Sequence, residues 1–175
     1  LGNVYYLKGM YDEAALELTK ALSLKDDPRY HKGLARIYAE KKMFPLAVYH
    51  YGEALKGLPG DAALHTGLAD IYRKQGMLDK AGEEYFKALS ADSSHEDARL
   101  GLASLYLDTN EIDKAVSELK RLQAVNPQSK KIHLLLAEAY ERKGDLKAAE
   151  YEYLLAGKNR SVELMEQMRK GTAYL

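Results

Sequence analysis

Apolar and polar residues follow one another along this chain with the period of an amphipathic helix. Apolar side chains recur at spacings of three and four within stretches of about twelve to fourteen residues. Two such stretches fit between successive members of a set of tyrosines that recur at steps of 33, 34, 34, 34 and 34: Tyr5, Tyr38, Tyr72, Tyr106, Tyr140 and Tyr174. The pattern therefore predicts a repeating pair of helices.

Small residues stand at fixed positions around these marker tyrosines. A small residue lies three positions before each of them, at Gly2, Ala35, Ala69, Ala103, Ala137 and Gly171, and an alanine follows nine positions later, at Ala14, Ala47, Ala81, Ala115 and Ala149. Antiparallel helices approach to about 8 to 10 Å only where small side chains meet, so these positions mark the contact within each pair. Larger second-helix residues are expected to fill the space between stacked pairs: Leu18, Tyr51, Tyr85, Leu119 and Tyr153.

A short turn separates the two helices of each repeat. One site in it is occupied by Gly9, Lys42, Gly76, Asn110 and Gly144. Glycine and asparagine adopt readily the left-handed backbone that often ends a helix, so every residue except Lys42 suits that conformation.

The order of small, aromatic and small residues at this spacing resembles the tetratricopeptide repeat family. The resemblance implies an all-α fold, a right-handed α-solenoid of stacked antiparallel helix pairs. It divides the chain into five repeats: residues 1–27, which lack the start of their first helix, 28–61, 62–95, 96–129 and 130–163. Residues 164–175 are expected to form a capping helix or part of a sixth repeat. We expect the chain to come from a longer array, whose end faces can self-associate.

In this family the first helix of each repeat lines a concave groove that holds the partner. The resemblance places these residues in the groove: Tyr6, Arg29, Lys32, Arg36, Asp70, Arg73, Leu100, Leu107, Leu134 and Glu138. The early groove is then basic, and the three leucines form an apolar cluster that can anchor a partner segment. The alternative is that the leucines pack under the first helix of the next repeat, because an error of one position turns a side chain by about 100°.

Methionines form a second positional series at the tip of the turn, with Met10, Met43 and Met77 in the first three repeats. Three flexible thioethers along one edge can form an apolar ridge that serves a second partner or self-association. The alternative is that each methionine simply covers its own turn.

Composition favours a protein or peptide as the partner. Lys and Arg number 26 and Asp and Glu number 26, and this zero net charge argues against binding of nucleic acid or anionic lipid. The sequence shows no signal peptide and no apolar run long enough to cross a bilayer, so membrane insertion is not expected. The lack of cysteine leaves the compartment open. The cytoplasm is favoured, and the periplasm is the alternative if an upstream signal was removed.

Motifs for catalysis or cofactor binding are missing from the sequence, which has neither a phosphate-binding glycine loop nor a His-Glu-x-x-His helix. We therefore expect no cofactor and no enzymatic activity. His31, His65 and His133 share one site of the repeat, but about 10 Å between adjacent repeats is too far for two of them to ligate one ion, so no metal is expected. They are interpreted as amphipathic fillers of the family's tryptophan site.

Acidic doublets in the sequence offer a further candidate chemistry. Asp26 and Asp27 lie in a predicted loop, and Glu83 and Glu84 lie on a predicted second helix. All four are expected to be exposed and solvated.

The clamp by which chaperone-binding members of the family hold a terminal carboxylate can also be tested. Arg36 and Gly67 stand where that clamp needs asparagines, and Asp97 and Gly101 stand where it needs cations. Binding of a chaperone terminus is therefore not expected.

The function predicted from the sequence is a non-catalytic scaffold that binds a peptide or protein segment in the groove and organises a multi-protein complex. Two alternatives stay open. One is a self-assembling coat, or a component of an envelope or export machinery. The other is the repeat region of a longer enzyme such as a glycosyltransferase.

Overall fold

The computed structural model describes residues 2–158, without the side chain of Asn3. This range contains ten helices and no strand: α1 Gly2–Leu7, α2 Tyr11–Leu24, α3 Pro28–Glu40, α4 Phe44–Gly57, α5 Ala62–Lys74, α6 Leu78–Ala91, α7 Glu96–Asp108, α8 Ile112–Val125, α9 Lys130–Lys143 and α10 Leu146–Leu155. The end of the fifth predicted repeat and the capping helix or partial repeat predicted at 164–175 lie outside the described residues.

The turn within each repeat has the same backbone conformation throughout. Its central residue has a positive φ at Gly9 (73°), Lys42 (57°), Gly76 (74°), Asn110 (61°) and Gly144 (83°). In every repeat the carbonyl oxygen of the marker tyrosine accepts a hydrogen bond from the amide five positions later, as from Met43 to Tyr38 at 2.8 Å. This bond closes the turn whatever residue occupies its centre. Lys42 therefore adopts the left-handed conformation although its side chain disfavours it by roughly 1 to 2 kcal/mol.

Small residues lie at the contact between the two helices of a pair. Ala35, Ala47, Ala81 and Ala115 have no exposed surface. Their burial allows the close approach of first and second helices that the sequence pattern predicts.

The chain divides into two compact bodies, an N-terminal body Leu1–Gly101 and a C-terminal body Leu102–Leu175. In the N-terminal body, α3 packs on α4 and α5 on α6, while α2 packs on α3 and α4 on α5 across successive pairs. Its first helices lie side by side, with α3 in contact with both α1 and α5. In the C-terminal body, α9 packs on both α8 and α10. Each body is thus a stack of helix pairs.

Within residues 2–158, no helix combines the length and the apolar character that a crossing of the bilayer requires.

Candidate protein-interaction surface

Tyrosines of the second helices enter notches in the next first helix. Tyr51 on α4 is 5% exposed and Tyr85 on α6 is fully buried. A Cβ built on Gly67 would lie 2.4 Å from the Tyr51 hydroxyl oxygen, and one built on Gly101 would lie 2.2 Å from Cε1 of Tyr85. The rings fit only because these two positions carry no side chain. Their hydroxyls therefore reach the surface formed by α1, α3 and α5, which we call the first-helix face and which carries Tyr6, Arg36, Glu40, Asp70 and Arg73.

The hydroxyl of Tyr85 is held by charged groups of α5. It donates a hydrogen bond of 2.5 Å to Oδ1 of Asp70. Burial and then the Asp70 carboxylate raise the pKa of Tyr85 far above its usual range, and the neighbouring Arg73 guanidinium offsets part of that rise. Asp70 and Arg73, both predicted groove residues, thus form one cluster with a buried phenol.

The hydroxyl of Tyr51 has different neighbours. Burial raises the pKa of Tyr51 to about 12, the Arg36 guanidinium opposes that rise, and the Asp70 carboxylate adds to it. Arg36 is exposed, and its guanidinium carbon lies 4.7 Å from the ring centroid of Tyr6 on α1, a distance typical of a cation–π contact. The structure therefore brings Tyr6, Arg36 and Asp70 of the predicted groove to one place.

The other two cations predicted for the early groove are engaged by capping carboxylates. Arg29 donates to both oxygens of Asp27, at 2.8 and 2.6 Å, and holds the pKa of that carboxyl well below its usual range. Lys32 donates to Asp61 at 2.5 Å. Asp27 and Asp61 cap α3 and α5, respectively, by accepting from backbone amides. Arg29 and Lys32 thus serve helix ends, whereas Arg36 lies over Tyr6 and pairs with no carboxylate of the described residues.

The predicted apolar cluster of the later groove is not formed as an exposed surface. Leu100 is 4% exposed and Leu107 is 2% exposed, so neither can anchor a partner without unfolding. Leu107 packs with Ala115 and with Ala139 of the next first helix. For Leu107 the alternative reading is confirmed: it fills the space beneath α9, and the family-derived position was wrong about the side that it faces.

The remaining predicted groove residues lie on α9. Leu134 is half-buried. Glu138 accepts a 2.5 Å hydrogen bond from Arg142, which also donates to the carbonyl oxygen of Leu107 at 2.7 Å. The charged side chains of this part of the surface therefore have hydrogen-bond partners within the C-terminal body.

Two of the repeated histidines form buried hydrogen-bonded pairs with glutamates, which the sequence did not predict. Nδ1 of His65 lies 2.6 Å from Oε2 of Glu84, and Nε2 lies 3.0 Å from the carbonyl oxygen of Pro59. Because a carbonyl oxygen only accepts hydrogen bonds, Nε2 must carry a proton. Nδ1 forms its hydrogen bond with the Glu84 carboxylate. The fifth repeat has the same arrangement in His133, Glu152 and Pro127. The second has a histidine partner instead, with Nδ1 of His31 lying 2.8 Å from Nδ1 of His50.

The expectation that the acidic doublets are solvated was wrong for two of their four members. Glu84 is 8% exposed because it pairs with His65, and Asp27 is 6% exposed because it caps α3. In the range 2–158, no three His, Asp or Glu side chains are grouped closely enough to hold a metal ion.

The methionines predicted to form a second surface are partly exposed. Met10, Met43 and Met77 retain 37%, 40% and 43% of their surface, each as the residue before α2, α4 or α6. They occupy equivalent positions in three consecutive repeats of the N-terminal body.

Comparison with known sequences identifies the repeat. Family models described as tetratricopeptide repeat match residues 1–28, 44–96 and 73–130, which together span well over half of the chain. The chain belongs to the tetratricopeptide repeat family. No curated protein matches the sequence.

Solved structures with this fold are similar over nearly the whole chain. The crystal structure of MamA has a TM-score of 0.78 at 19% identity, with 97% of each chain covered. PilF of Pseudomonas aeruginosa has a TM-score of 0.83 at 17% identity, covering 99% of this chain and 85% of its own. YrrB, described as a TPR protein with an unusual peptide-binding site, has a TM-score of 0.71 at 16% identity, covering 99% and 89%. The likeness shows the tetratricopeptide fold alone, and it confirms the predicted all-α class of stacked antiparallel helix pairs.

Proposed function

We propose that this tetratricopeptide repeat protein is a non-catalytic interaction scaffold. Its first-helix face binds a segment of a partner protein and so helps to organise a multi-protein complex. The observation that carries the proposal is the accessible group of Tyr6 and Arg36 beside the buried phenol of Tyr51, on a surface shared by three first helices. Aromatic and arginine side chains contribute most often to binding energy at protein interfaces.

The binding of peptides by a protein of the same fold supports the class of partner. YrrB is described as having a peptide-binding site, and the present chain shares its fold. The leucines of the predicted apolar cluster are poor test positions, because a charged residue at buried Leu100 would disturb folding. Tyr6 is the better position.

Site-specific photo-crosslinking tests the proposal. A photoreactive phenylalanine analogue is placed at Tyr6 and, as a matched control, at Tyr49, which is 57% exposed on the second helix α4. We expect crosslinked partner adducts from position 6 and none from position 49, with the adducts identified by mass spectrometry. Adducts that form only at position 49, or at neither position, would contradict the assignment of the first-helix face. Adducts between two copies of the chain at position 6 would favour self-assembly instead.

A further inference from the structure

The ring of Tyr51 is buried, and its hydroxyl opens onto the first-helix face. No described residue accepts its hydrogen. The equivalent phenols elsewhere are satisfied, since Tyr85 donates to Asp70 at 2.5 Å and Tyr153 donates to Glu141 at 2.9 Å. The Tyr51 hydroxyl is therefore available to donate to a bound partner.

The reason lies in one substitution between repeats. Asp70 accepts the proton of Tyr85, and the equivalent position of the preceding repeat holds Arg36. A guanidinium has five donors and no acceptor. Arg36 therefore cannot accept a hydrogen bond from the Tyr51 hydroxyl, as Asp70 does from the Tyr85 hydroxyl. Arg36 lies instead over the ring of Tyr6, and no carboxylate of the described chain pairs with it. Two kinds of donor, one of them charged, are thus directed at the same region.

The chemistry of this region deepens the proposed function, on which it rests. We propose that Arg36 and Tyr51 together bind the carboxylate of an Asp or Glu side chain in the partner segment. A carboxylate has two acceptor oxygens and one negative charge, which matches one phenol donor and one guanidinium. The pair differs from the chaperone clamp, whose residues this chain lacks.

Nearby charges favour a carboxylate over a phosphate group. Burial, the Asp70 carboxylate and the Glu40 carboxylate all raise the pKa of Tyr51, because each disfavours negative charge at its hydroxyl. They would repel a doubly charged phosphate more strongly than a singly charged carboxylate. The site is also flanked by Tyr6 on α1 and by Asp70 on α5, which can contact partner residues on both sides of the bound carboxylate. An internal acidic side chain fits this geometry better than a chain terminus.

Selection from a peptide library tests the site by charge reversal. Random twelve-residue peptides displayed on phage, which have no free carboxyl terminus, are selected on the immobilised full chain. We expect enrichment of Asp or Glu at one position with the native protein, and enrichment of Lys or Arg at that position with Arg36→Glu. Lys56→Glu changes the net charge equally on an exposed residue of α4, and we expect it to keep the acidic preference. Binding peptides without an acidic residue would overturn the carboxylate site but leave the proposed function standing, whereas no binding peptides at all would count against both.

Affinity measurements then separate the two donors. A selected peptide is synthesised with its acidic residue and with the matching amide, and with a free or an amidated terminus. We expect Tyr51→Phe, which keeps the ring in the Gly67 notch, to weaken binding of the acidic peptide about tenfold and of the amide variant little. Amidation of the terminus should have no effect. A loss of affinity with amidation alone would overturn the choice of an internal side chain, and equal affinities of Tyr51→Phe and the native protein would overturn the role of the phenol.

Discussion

Two buried histidine–glutamate pairs dominate the polar chemistry inside the repeats. Glu84 forms a hydrogen bond with Nδ1 of His65 and accepts one from Lys87 at 2.7 Å, so its removal leaves Nδ1 of His65 buried without a partner. We expect Glu84→Ala to lower the free energy of unfolding by about 1 to 3 kcal/mol, measured by urea denaturation. Glu84→Gln should retain most of the stability, because an amide can donate to Nδ1 while Nε2 still donates to Pro59.

The adjacent residue provides the matched control for this prediction. Glu83 is exposed on the same turn of α6, and Glu83→Ala should change stability by no more than about 0.5 kcal/mol. Equal losses at positions 83 and 84 would show that the pair contributes nothing beyond an ordinary surface carboxylate.

The sequence contains a signal for these pairs in the shared spacing of their members. Glu84 follows His65 at the same interval at which Glu152 follows His133. The prediction that the histidines are half-polar fillers agrees with their exposures of 8% and 3%. The expectation of a solvated Glu84 failed because a helical pattern of charges does not show which of them meets a buried ring. Only the packing of the first helix on the second decides that.

At the scale of helices, the glycine notches connect the second pair to the third and the third pair to the fourth. Gly67→Ala would gain roughly 1 kcal/mol of helix propensity but would press a methyl group against the Tyr51 ring. Gly52 lies within α4 with open space around it, so Gly52→Ala should give the propensity gain alone. We expect Gly67→Ala to be less stable than Gly52→Ala by about 1 to 3 kcal/mol in urea denaturation.

Removal of the Tyr51 ring should relieve the loss of stability caused by Gly67→Ala. The fourth repeat has Leu119 where the second has Tyr51, and Leu135 stands where the third has Gly67. We therefore expect Tyr51→Leu to relieve the penalty of Gly67→Ala in a double-mutant cycle. Additive effects of the two substitutions would refute the notch as the coupling between helix pairs.

The positions of the helices could be predicted from the sequence. The direction in which each side chain points was harder to predict. The marker tyrosines and small residues correctly located first and second helices, since they record contacts that every repeat must make. Leu107 shows the limit. Its place on a first helix was right, but the direction of its side chain depends on a rotation of about 100° per residue, and the structure directs it to Ala139.

For the whole molecule, a repeated pattern reveals the fold because the same contacts recur, but it does not reveal the partner because binding residues differ between repeats. Asp70 and Arg36 occupy equivalent positions with opposite charge. Tyr85 has a carboxylate acceptor on α5, and Tyr51 lacks one on α3 because of that single departure. Function in such a chain is therefore found where one repeat deviates from the others.

The methionines, by contrast, are shared by three repeats although the packing within a repeat does not require them. Met10, Met43 and Met77 each leave more than a third of their surface exposed, and flexible thioethers adapt to varied apolar partners. We expect them to support self-association, so that Met43→Glu with Met77→Glu lowers the mass measured by light scattering at equal protein concentration. A matched pair, Leu16→Glu with Phe86→Glu, alters residues that are 55% and 53% exposed on second helices and should leave the mass unchanged. If the native chain is monomeric at every concentration, or if both pairs act alike, the methionines only cover their own turns.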